Sequence, residues 1–71
     1  MKMKKVRTKK QIVEEMIALN VEEILRLEVV RDFNLAQDSA EAKVQVDAAN
    51  DKITKTEAQL TWLRNHLESL G

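Results

Sequence analysis

Residues 39–70 read SAEAKVQVDAANDKITKTEAQLTWLRNHLESL, and this stretch decides the fold. Within it Ser39, Ala42, Val46, Ala49, Ile53, Thr56, Leu60, Leu63, Leu67 and Leu70 succeed one another at alternating steps of three and four. Small or apolar side chains at a mean period of about 3.5 residues describe one long helix with a continuous seam. Such a seam must lie against another helix. Its first half is small (Ser39, Ala42, Ala49) and permits close approach, whereas leucine fills it from Leu60 onward.

Working outward, Asp38-Ser39-Ala40-Glu41 has the form of a capping box, with Asp38 as cap and Glu41 reciprocating. Asn34 to Asp38 then forms a short connection, which makes the preceding helix an antiparallel neighbour. At the other end, Thr8 and Gln11 form a second capping box and start a helix. Ile12, Val13, Met16, Ile17 and Leu19 make one apolar stripe, and Val21, Ile24, Leu25, Val29 and Phe33 make another. At 100° per residue the centre of the apolar face jumps by about 150° between them. Asn20 followed by Glu23 repeats a cap signal at the same place, so a break near Asn20 is expected. The fold class is therefore all-α. It is a helical hairpin with a long coiled-coil-like C-terminal helix at about 39–69, a helix at about 21–35, and a short N-terminal helix at about 9–19.

The composition agrees. The chain of 71 residues has no proline, no cysteine and a single glycine, Gly71. Disulfides and thiolate metal sites are thereby excluded, and a sheet with tight β-hairpins is not expected. So small a domain lies near the limit of independent stability, which makes a core shared with a second copy or a partner expected. The long seam packs on the second helix alone, or also on other chains. In a parallel pair Lys52 would meet Glu57 of the other chain, but one exposed ion pair does not set orientation. No apolar run is long enough to span a membrane, and Glu14 and Glu15 interrupt any export-signal core. A cytoplasmic protein without membrane partners is expected. In size and build the chain looks like small bacterial or bacteriophage accessory proteins.

The balanced net charge conceals an asymmetry. Lys2, Lys4, Lys5, Arg7, Lys9 and Lys10 stand in the first ten residues without an acid, while the rest of the chain carries all 12 acids. This basic head suits phosphate contacts, an interaction that salt would weaken steeply. The segment Gln11–Leu27 has the outline of a helix-turn-helix, but its second helix would present Glu22, Glu23, Glu28 and Asp32 to phosphates. Phe33 and Trp62, the only aromatics, are too few for a stacking platform.

No catalytic constellation is present. His66 is the only histidine, and near a helix C-terminus it reads as a favourable charge rather than a ligand. No metal or cofactor is expected. Trp62 lies off the seam with Val44, Ala48 and Ala58, either covered by the first helix or serving an intermolecular contact. The leading expectation is a non-enzymatic interaction module, an inhibitor or adaptor. It self-associates through Leu60, Leu63, Leu67 and Leu70 and meets another protein through Val44, Ala58 and Trp62. The alternative is a nucleic-acid-associated oligomer that uses the basic arm.

Overall fold

Thr8 opens the first helix as the capping box requires. Its hydroxyl accepts from the Gln11 backbone N–H at 3.1 Å, and the Gln11 side chain accepts from the Thr8 N–H at 2.9 Å. The two bonds satisfy donors that a helix start otherwise leaves unpaired. In the computed structural model, which describes residues 7–71, helix α1 spans Lys9–Leu35 and helix α2 spans Ala40–Leu70. The two pack against each other as an antiparallel hairpin, and no strand occurs among the described residues.

Helix α1 is continuous through Asn20, so the expected break and the separate short N-terminal helix are absent. The reason lies in which α1 residues meet α2. The buried or half-buried positions include Val13, Ile17, Asn20, Ile24, Leu27, Arg31 and Asn34, at steps of four and three. This is an unbroken seam that accepts polar residues at three of its positions. The two apolar stripes need not be realigned, because much of each stays outside. Ile12, Met16 and Leu19 of the first, and Val21, Leu25, Val29 and Phe33 of the second, are exposed.

Helix α1 ends at Ala36, whose N–H reaches the carbonyls of Asp32 and Phe33 at 3.2 Å each. The chain then turns without any residue at positive φ. Ser39 caps α2, its hydroxyl accepting from the Ala42 N–H at 3.1 Å. The cap is thus one residue later than the expected Asp38. Glu41 consequently falls in the first turn, where its charge complements the helix dipole without reciprocating the cap.

The α2 seam follows the sequence pattern. Ala42, Ala49, Ile53, Leu60 and Leu63 are buried, and Val46, Thr56, Leu67 and Leu70 are half-buried. Val13 and Leu27 complete the buried core from α1. That core is small, because two of its seven members are alanines. The hairpin is one layer, with a thinnest extent of 12 Å. Among the described residues each helix therefore has only one neighbour, and both broad faces of the layer are left uncovered by the other helix.

Candidate interaction surface

Large apolar side chains are distributed unevenly between the inside and outside of this layer. Among the described residues, nine of the eleven large hydrophobic residues exposed to solvent belong to α1. Only two α1 residues reach the buried core. A helix that turns most of its apolar surface outward is incompletely satisfied by its own chain.

Five of these nine exposed residues, Ile12, Met16, Leu19, Val30 and Phe33, share one side of α1 with the half-buried Glu23 and exposed Arg26, while Val21, Leu25, Val29 and Leu35 lie off it. Ile12, Met16, Leu19, Glu23, Arg26, Val30 and Phe33 succeed one another at steps of four and three. They form a second seam, turned roughly 100° from the one that meets α2. A stripe at that angle looks out of one broad face of the hairpin. Its ends are apolar, with Leu19 at 62% and Phe33 at 64% exposure. Its middle is an ion pair, with Arg26 Nη1 2.9 Å from Glu23 Oε1.

Helix α2 contributes to the same face. Leu27 and Val30 line a shallow open groove of about 140 Å³ together with Gln45, Ala48, Ala49 and Lys52. The small Ala48 side chain leaves this hollow beside Val30. Placing Leu27 abreast of Ala49 brings residues 12–16 abreast of residues 60–64, near the free end of the hairpin. A second groove, of about 270 Å³, lies at the turn on the opposite flank and is lined by Asn34, Leu35, Lys43, Val46 and their neighbours.

The residues singled out from the sequence separate into two groups. Leu60 and Leu63 are buried against α1 of their own chain, and Leu67 and Leu70 are half-buried. Folded in this way, the hairpin has little surface of Leu60 and Leu63 left to offer. Val44, Ala58 and Trp62 lie outside. Trp62 is 60% exposed, so α1 does not cover it. Its indole stacks on the His66 ring one turn later, with centroids 4.7 Å apart and planes inclined by 17°.

Of the basic residues, Lys2, Lys4 and Lys5 lie outside the described residues. Arg7 turns back along α1, its Nη2 2.6 Å from Glu15 Oε1. Lys9 and Lys10 are exposed in the first turn of α1. No group of His, Cys, Asp and Glu suited to holding a metal ion occurs among the described residues. There too, no helix is long and apolar enough to cross a membrane.

The α1 stripe is the part of this surface that the sequence reading missed. Its signal is the same four-and-three spacing, but the charges of Glu23 and Arg26 interrupt it, and its apolar members suit a buried face equally well. Comparison with family models, with curated proteins and with solved structures finds no match for this chain.

Proposed function

We propose that this chain is a non-enzymatic protein–protein interaction module, a small inhibitor or adaptor that acts by covering its outward apolar face. The observation that carries this reading is the exposure of Ile12, Met16, Leu19, Val30 and Phe33 along one side of α1. About half of each side chain is open to water. Covering them would contribute roughly 4–8 kcal/mol per chain, at about 1.5–3 kcal/mol for each side chain fully buried. A small, one-layer core gains much from such a contact. The grooves are shallow and open, and no polar side chain is buried among the described residues, which supports binding rather than chemistry.

The test is a double substitution, Leu19→Lys with Phe33→Lys, at two of the most exposed positions. Far-UV circular dichroism should show an unchanged helical hairpin. Sedimentation, together with capture from the native host's lysate, should show loss of whatever the wild-type chain binds, whether itself or another protein. If the wild type sediments as a lone monomer and captures nothing that the variant fails to capture, the proposal is wrong.

A further inference from the structure

We propose that a second copy of this chain occupies the α1 stripe, with the two α1 helices antiparallel and a two-fold axis passing between Glu23 and Arg26. The inference rests on the reading of this face as a contact surface and commits it to one occupant.

The stripe carries one negative and one positive side chain at its centre, flanked on both sides by apolar residues. Two copies packed in parallel would set Glu23 against Glu23 and Arg26 against Arg26. Two antiparallel copies in this register set Glu23 against Arg26 twice, and a two-fold axis requires such self-complementarity. The same register opposes Leu19 to the other copy's Val30 and Met16 to its Phe33, so apolar residues meet apolar residues on both sides of the charges. Sliding the helices by one turn places Leu19 opposite Arg26, an unfavourable match. Charge and apolar pattern therefore agree on one register. The hollow beside Val30, left by Ala48, lies where Leu19 of the second copy arrives. Antiparallel α1 helices also oppose their dipoles favourably.

The product is a dimer of hairpins packed broad face to broad face. The intrahelical Glu23–Arg26 contact is exposed in the single chain, with side chains 41% and 63% accessible. Covering it on both copies creates a charge cluster in which every member has a partner.

Sedimentation equilibrium on the full chain at a concentration on the order of tens of micromolar tests the occupant. Twice the chain mass of 8.2 kDa is expected, and a monomer overturns the proposal. Charge substitutions test the pairing. Glu23→Arg alone and Arg26→Glu alone should each weaken the dimer by about tenfold or more, because each sets like charges across the axis. Mixing the two single variants should restore a heterodimer of near wild-type strength. In that mixture each chain still holds like charges within its own helix, so recovery reports the contact between chains. Absence of recovery overturns the pairing.

Orientation follows from disulfide trapping, which is unambiguous here because the chain has no cysteine of its own. Leu19→Cys mixed with Val30→Cys should cross-link. Leu19→Cys alone should not, since its two copies would lie about 16 Å apart along the axis, beyond the roughly 7 Å a disulfide can span. Cross-linking of Leu19→Cys alone, or of neither sample, refutes the arrangement. In both cases the interaction-module reading survives if a different protein is captured through the same face.

Discussion

Leu63→Ala offers the most direct measure of how this hairpin holds together. Leu63 is the least exposed of the buried core residues, at 3%. Truncating a leucine in an enclosed core costs about 2.7–5 kcal/mol, increasing with the cavity that remains. Here the layer is a single helix thick on each side, so the site borders solvent and its neighbours can relax inward. The lower end applies, about 2–3 kcal/mol. A chain of this length has a total stability of roughly 4–10 kcal/mol at ordinary values per residue. The loss is therefore a large fraction of the whole, and a Tm decrease of about 10–20 °C is expected. The assay is thermal and urea unfolding followed at 222 nm, with wild type and variant at one fixed concentration so that any association affects both alike. Trp62→Ala serves as the control, because a side chain 60% exposed should change stability by no more than about 0.5 kcal/mol in the free hairpin. If Leu63→Ala melts within a few degrees of wild type, or if Trp62→Ala is the more damaging change, the assignment of α2's inner face is wrong.

Three further outcomes follow from particular positions. Asn20→Leu should raise stability by about 1 kcal/mol in urea unfolding, since an apolar side chain would replace a half-buried amide within the seam; a decrease would mean that the amide makes a contact the helix pair needs. Ser39→Ala should cost about 1 kcal/mol through loss of the bond to the Ala42 N–H, and Asp38→Ala only a few tenths; the reverse order would return the cap to Asp38. Changing Lys2, Lys4 and Lys5 to Gln should leave the sedimenting mass unchanged, because the association argued above uses α1's broad face. A mobility shift of nucleic acid that fades as salt rises and disappears in this triple variant would instead favour the phosphate-binding alternative.

The low stability expected of the isolated hairpin bears on its function. The four ion pairs of the described residues are all at least partly exposed, and pairs of this kind contribute about 0–1 kcal/mol each. Stability must come mainly from the seam, where Ala42 and Ala49 supply little area near the turn. Any partner that covers α1's outer stripe therefore does two things at once. It gains apolar burial, and it holds in place a helix that its own chain anchors at only two buried side chains, Val13 and Leu27.

Helix α2 was readable because one requirement dominates each of its inner positions. From Ser39 to Leu70 the seam is small or apolar at alternating steps of three and four, and the sparser off-seam set of Val44, Ala48, Ala58 and Trp62 does not interrupt that pattern. The absence of proline and of internal glycine likewise settled the helical class, since no residue offered the backbone a turn within either helix. Thr8 and Gln11 announced the start of α1 for the same reason: a capping box is a local hydrogen-bond exchange that needs no distant partner. Helix α1 itself was different. Its inner positions include Asn20, Arg31 and Asn34, while Leu19, Leu25, Val29 and Phe33 stand outside, so hydrophobicity alone pointed toward the wrong faces. Which side of α1 turns inward depends on the shape of α2, and that is a property of two helices in contact rather than of either taken alone. The caps differ in the same way, for Asp38 and Ser39 are both competent, and the phase of the helix after the turn selects Ser39. Periodicity thus determined the elements and one of the two buried faces, whereas only tertiary packing decided the other face and, with it, the surface left for a partner.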